Sequence, residues 1–223
     1  MLIYGRNPVF EAVKTGKAER IFIRKGAVVY DKTFNLPVSV LSKGDFDAKF
    51  PKEAQGLGGE TADIAPIDFD INKIKSGGVV ILDRIQDPQN YGAILRSAVC
   101  FGVQSVITPR YNRAPITPAV VKASAGAVFY LDIFEITNLR QACAALKIAG
   151  YTILAASSDG SISLRGYLPP PKIAAIIGSE GRGVRQSLSE EADGALKIDI
   201  QEGKIDSLNA AQAAAIVFFA LFG

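Results

Sequence analysis

The sequence contains no histidine. That gap removes Ser-His-Asp hydrolases, His-ligated metals and an imidazole general base, so any chemistry here uses other groups. Cysteine is nearly as scarce. Cys100 and Cys143 form no metal or redox spacing, which makes a reducing cytosol the expected compartment. Long apolar runs are missing too. The best, Ala210 to Phe222, is interrupted by Gln212 and stops at Gly223, short of the ~18 residues that a membrane span needs. Arg6 and Glu11 break any apolar stretch of the kind a secretory signal has. Nor does one sign of charge dominate, since 25 Lys and Arg face 22 Asp and Glu for a net +3. What is present is apolar bulk. With 48% hydrophobic residues and a mean hydropathy of +0.20, the 223 residues can build one sizeable core or two modest ones, and they are too apolar for a disordered chain.

The small net charge is unevenly spread. Residues 1–25 hold Arg6, Lys14, Lys17, Arg20, Arg24 and Lys25 against Glu11 and Glu19, a net +4. Such a patch suits phosphates, and it equally suits an ordinary solvated surface. Asn7-Pro8 reads as a helix start running on from Val9 to Thr15, with Gly16 as the stop. Short strand signals follow at Ile21–Ile23, Val38–Leu41 and Thr61–Ala65. This small α/β unit spans residues 1–66, and a weakly patterned segment over 67–77 reads as a linker.

Residues 78–223 then alternate regularly. Buried strands are expected at Val79–Leu82, Ser105–Thr108, Tyr151–Ala156, Ile173–Ile177 and Leu196–Ile200. Helices are expected at Tyr91–Phe101, Ala119–Ala127, Asn138–Ala149, Val184–Glu191 and Leu208–Phe222. Strands without polar alternation between helices predict an α/β fold with a parallel sheet covered on both faces. Ligands bind such sheets at the loops leaving the carboxyl ends of strands. Three of these loops are unusual: Asp83 to Asn90, Gly178 to Gly183, and Gln201 to Asn209.

The glycines of the second loop let backbone N–H groups approach a ligand, but the loop ends as neither a Walker nor a dinucleotide motif. Glu180 there reads either as a helix-start carboxylate or as a ligand to a hydroxyl. Asn90 and Ser207 each read as an N-cap or as a site residue, and Arg96 as a solvated helix residue or a functional cation.

Taken together, these runs carry a resemblance. The run Asp83 to Ala98, with Asn90, Gly92 and Arg96, resembles the first signature of the SpoU (TrmH-type) RNA 2′-O-ribose methyltransferases. Ile176 to Val184 resembles the second, and Ile198-Asp199-Ile200 through Ser207-Leu208-Asn209-Ala210-Ala211 the third. Lys122 to Ala127 also has a family counterpart. Tyr4 to Val13 is similar to the start of the family's ribosomal-protein-like substrate-binding domain. Two departures stand out. The third motif reads Ile198-Asp199-Ile200 where the family usually has Ile-Pro-Met, and the loop Gln201 to Asp206 is one residue longer. The family's His-Gln-Gly is Ala54-Gln55-Gly56 here.

The resemblance implies a parallel-sheet SPOUT domain with a C-terminal trefoil knot, behind a small ribosomal-protein-like α/β domain. It implies a homodimer, S-adenosyl-L-methionine as cofactor, no metal, and RNA as partner. Gly178, Ile198 and Leu208 match its cofactor-contacting positions, and Asn90, Arg96, Glu180, Ser207 and Asn209 its catalytic cluster. Arg6, Arg20, Arg24 and Lys25 become candidate RNA contacts. A guanosine of large-subunit ribosomal RNA is the expected target. The alternatives are transfer RNA, or a non-catalytic RNA-binding or ribosome-assembly protein of the same fold. A guanidinium stays protonated in proteins, so Arg96 suits a clamp on phosphate or oxyanion better than a base.

Overall fold

Strands that are apolar at every position can be satisfied only by cover on both faces. In the computed structural model, which describes residues 1–29, 34–75, 77–201 and 207–223, β6 (Val79–Asp83) and β7 (Ser105–Pro109) are buried at all five positions each. They lie inside an eight-stranded, wholly parallel sheet. The other strands are β5 (Ile67–Asp68), β8 (Asp132–Ile136), β9 (Thr152–Ala156), β10 (Ile162–Ser163), β11 (Ile173–Gly178) and β12 (Gly194–Lys197). Their order is β10-β12-β9-β11-β6-β7-β8-β5. Helices α3 (Pro88–Cys100), α4 (Pro118–Ala123), α5 (Leu139–Ile148), α6 (Gln186–Ser189) and α7 (Ala210–Phe222) complete this unit.

Ahead of it, β1 (Leu2–Tyr4), β2 (Ala18–Arg24), β3 (Val38–Leu41) and β4 (Leu57–Thr61) form a second sheet in the order β1-β4-β2-β3, with α1 (Arg6–Lys14) and α2 (Lys43–Lys49). The two units share one core. Ile3, Val9 and Leu57 of the first belong to the same buried cluster as Val120, Val121 and Val128 of the second. No helix among the described residues is long and apolar enough to cross a membrane.

Several expected elements shift, each for a local reason. Helix α1 starts at Arg6, with Gly5 at φ 92 as its N-cap, so Asn7 lies inside the first turn. The strand expected at Thr61–Ala65 lies instead at Leu57–Thr61, as β4, because its glycines admit the flanking strands and the ring of Phe50 closely. The segment expected as a linker contributes β5, which pairs with β8 at the sheet edge. The helices expected at Ala119–Ala127 and Val184–Glu191 are shorter, at Pro118–Ala123 and Gln186–Ser189. Strand β12 stops at Lys197, leaving Ile198 to Ile200 outside it.

Gly92 sets the spacing between α3 and α4. A Cβ at that position would lie 2.5 Å from Ala123 Cβ and 2.9 Å from both Ser124 N and Val120 O. Two of these neighbours are backbone, so they cannot swing aside. Gly92→Ala is therefore expected to lower stability by about 1–3 kcal/mol, the usual cost of overpacking. Urea unfolding monitored by circular dichroism would measure it. A midpoint equal to wild type would show that the helices part freely.

Candidate active site

The strand order reverses at β6, with β7 on one side and β11 on the other. Loops leaving neighbouring strands at such a switch point diverge and open a crevice. Gly178, the last residue of β11, stands in register with Asp83, the last of β6. Beyond Gly178 the chain folds back over itself. A Cβ on Gly178 would lie 2.0 Å from Gly183 C and 2.1 Å from Val184 N. Gly181 and Gly183 take positive φ, and Gly183 N donates to Ser179 O at 2.8 Å. The turn is pinned where it ends. Arg185 donates to the fully buried Asp83 carboxylate from its backbone N (2.9 Å) and its Nε (2.9 Å), while its Nη2 sits 2.8 Å from Oδ1.

This anchored loop carries Glu180 to Asn90. Asp87, not Asn90, caps α3: its Oδ1 accepts from Asn90 N at 2.8 Å. The Asn90 amide is thereby free, and its Nδ2 donates to Glu180 Oε2 at 3.0 Å. Asn209 Nδ2 donates to Asn90 Oδ1 at 2.8 Å. Asn209 also caps α7, its Oδ1 accepting from Ala211 N and Gln212 N, which is the role weighed for Ser207 in the sequence. One hydrogen-bonded chain thus runs from the amino end of α7 through Asn209 and Asn90 to the Glu180 carboxylate. The three residues come from three separate places in the chain: the first turn of α3, the loop after β11 and the N-cap of α7.

Beside this chain lies a cleft of about 370 Å³. Its walls include Gly178, Glu180, Ile198, Ser207 and Leu208, five of the eight residues assigned to the catalytic and cofactor sets from sequence. Ile200 lines it as well, so both isoleucines of the third motif face the same space. Asp199 between them accepts a hydrogen bond from Ser163 Oγ at 2.5 Å, tying the atypical motif to β10. Apolar Ile177, Ile198, Leu208 and Ala213 on the walls, with Ser157, Asp159 and Glu180 among the polar lining, suit a ligand with a flat aromatic part and a polar tail. Among the described residues no group of His, Cys, Asp and Glu could hold a metal ion. Residues 202–206 of the third loop lie outside the described residues.

Arg96 stands apart. It is exposed on α3, does not line the cleft, and has no hydrogen bond or ion pair among the described residues. Arg6, Arg24 and Lys25 gather at one end of the N-terminal sheet, where β1 and β2 finish, and Arg6 Nη2 donates to Val28 O there. Arg20 does not join them; it pairs in register with Glu60. Tyr91, next to Asn90, is no proton acceptor. Burial pushes its phenol up to about 12, with Arg113 opposing.

Asp83, Arg185 and Asp159 were not assigned from the sequence. The first two are 102 positions apart, and no local pattern announces their pairing. Asp159 follows β9, a strand end that had been placed, so the rule of strand-end loops was the available signal.

The SpoU rRNA methylase family model matches residues 78–219. A protein of Staphylococcus haemolyticus assigned to the TrmH family of tRNA/rRNA methyltransferases is 32% identical over 237 residues, covering 100% of this chain and 95% of that protein. An RNA methyltransferase of the TrmH family from Porphyromonas gingivalis superposes with a TM-score of 0.76 at 27% identity, covering 98% of this chain and 88% of that one. An AdoMet-bound rRNA methyltransferase from Sinorhizobium meliloti does so with a TM-score of 0.75 at 26% identity, over 98% and 85%. With its three motifs gathered at one crevice, and a relative matched from end to end, this chain belongs to the SpoU (TrmH-type) rRNA methylase family.

Proposed function

We propose that the protein transfers a methyl group from S-adenosyl-L-methionine to a ribose 2′-hydroxyl in RNA. The observation that carries the reading is the chain Glu180–Asn90–Asn209 at the edge of a cleft walled by the glycine loop. Gly178, Ile198 and Leu208 would hold the cofactor, with the isoleucine and leucine packing on its adenine. When bound, S-adenosylmethionine supplies an electrophilic methyl group on a sulfonium centre. The chain's own residues then have to place the 2′-oxygen in line and draw off its proton, which is mainly a matter of position and charge. Glu180, held by Asn90 through Oε2, accepts the hydrogen bond of the 2′-hydroxyl through its other oxygen. Ser207 and Asn209 orient the ribose, and Arg96 balances negative charge on oxygen and phosphate.

Residues 1–66 act as the RNA-binding unit and 78–223 as the methyltransferase unit, with the connecting 67–77 lending β5 to the second sheet. Arg6, Arg24 and Lys25 meet phosphates at one end of the first sheet, with Arg20 further along β2. That added unit and the Sinorhizobium relative, an rRNA methyltransferase, support ribosomal RNA over transfer RNA as substrate, with a guanosine of the large subunit as the proposed target and a cytoplasmic setting. The trefoil knot is part of this reading. It is supported by α7 returning from β12 to lie against α3 and β11.

Homodimerisation completes the site. Helix α7 is apolar almost all round, yet Ile216 is 40% and Phe219 65% exposed, and Phe219 meets Phe101 at the end of α3, the helix that exposes Arg96 and Cys100. Covering that apolar stripe with a second copy buries it and brings Arg96 to the partner's cleft. Light scattering should find a dimer, and Phe219→Glu should yield monomers that transfer no methyl.

Two further outcomes follow from the same geometry. Gly178→Ala cannot be accommodated under Gly183, so calorimetric affinity for S-adenosylmethionine should fall at least ~10-fold, a loss of about 1.4 kcal/mol. Unchanged affinity would remove Gly178 from the site. Arg96→Ala should cut tritium transfer into ribosomal RNA on the order of 10²-fold or more, and Arg96→Lys should restore little of it. Cofactor affinity should survive both. Mixing Arg96→Ala with Gly178→Ala should recover activity if each arginine serves its partner's cleft. Full activity in Arg96→Ala would sink the catalytic assignment, and no transfer by wild type to any RNA would favour the non-enzymatic reading.

A further inference from the structure

We propose that Arg84 binds a backbone phosphate of the RNA beside the target ribose, an assignment that rests on the RNA methyltransferase reading above. Arg84 takes φ 59, in the left-handed region that glycine or asparagine occupies more cheaply than a long side chain does. Among the described residues its one charge partner is a carboxylate that another arginine already holds. Its guanidinium makes no hydrogen bond among the described residues, and its Nε is buried without an acceptor. The carboxylate near it is Asp83, with Arg84 Nε 3.5 Å from Oδ2. Both oxygens of that carboxylate are already engaged by Arg185, from Nε and Nη2 at Oδ1 and from the backbone N at Oδ2. Two guanidinium charges therefore share one carboxylate, leaving a net positive charge at the end of β6.

Position selects the ligand. The cleft assigned to the cofactor opens toward the loops after β9, β11 and β12, and Arg84 is not among its walls. Arg84 lies instead on the loop between β6 and α3, the helix whose first turn holds Asn90. That loop is joined to the one after β7 by a hydrogen bond from Ala114 N to Ile85 O. Arg84 thus sits at the end of β6, beside the clasped Asp83 and outside the cofactor's space, which leaves the second reactant as its ligand. The Arg84 side chain is 23% exposed, so part of it reaches solvent. For an RNA substrate the matching group is a phosphodiester oxygen, which a planar guanidinium meets in a fixed geometry. Left-handed non-glycine residues cluster at functional sites, and Arg84 is one of them.

The test uses the full-length protein, an in vitro transcript of large-subunit ribosomal RNA, and the variants Arg84→Asn and Arg84→Lys. Asparagine accepts the left-handed backbone and removes the charge; lysine keeps the charge. Arg84→Asn is expected to retain its thermal midpoint and its affinity for S-adenosylmethionine. It should bind the transcript about 10-fold more weakly, with the slope of log affinity against log salt reduced by about one. Arg84→Lys should keep the wild-type slope. Unchanged RNA affinity and slope in Arg84→Asn overturns the inference. So does a lowered thermal midpoint with lost cofactor affinity, which would make Arg84 a prop for Asp83. Label transfer by the wild type reports the enzyme reading separately. If no RNA is methylated while Arg84→Asn still lowers the salt slope, that reading falls and the phosphate site stands.

Discussion

The buried carboxylate of Asp83 is the point on which the site depends. A charge with no exposure to water must be matched closely by partners, and here one residue, Arg185, provides most of that match from both its backbone and its side chain. Because Arg185 ends the glycine turn and Asp83 ends the neighbouring strand, their pairing closes the turn as a clasp. Glu180 sits within the closed part. Its contact with Asn90 is thus set by an ion pair that touches neither residue directly.

The three loops contribute differently. The loop after β6 supplies Asn90, freed for the site because Asp87 takes over the capping of α3. The loop after β11 supplies Glu180. The segment before α7 supplies Asn209, which keeps its capping role and joins the site with its remaining amide. Asn209 therefore couples folding of the last helix to assembly of the cluster, since the same side chain is needed for both.

Much of this was legible in the sequence, and the exceptions have physical causes. Continuous apolar runs such as Val79–Leu82 and Ile173–Ile177 could only be strands covered on both faces. Strand β8 escaped notice because Asp132 and Glu135 interrupt its apolar run; both are engaged by cations, Lys75 for the first and Arg110 and Arg113 for the second. Strands β5 and β10 have two residues each, too few for any periodicity. At the site, the residues resembling the family motifs were identifiable singly. Which residue caps a helix was not, because Asn90 and Ser207 fit the capping rule as well as Asp87 and Asn209, which hold those positions in the structure. The separation of Arg96 from the cleft was also hidden, since spacing along a helix does not say which neighbour the helix faces.

The shared core of the two units has a mechanical consequence. Ile3, Val9 and Leu57 are buried together with Val120, Val121 and Val128, so the N-terminal sheet has no hinge in that contact on which to swing. Tyr130 reinforces the joint by donating to the Glu11 carboxylate, and Gly126 lets α1 approach so closely that a Cβ there would strike Glu11. Under the proposed function, RNA held at the basic end of the first sheet would meet the crevice across one fixed span. The molecule would then act as a caliper, selecting by the distance between two points as well as by the chemistry at each.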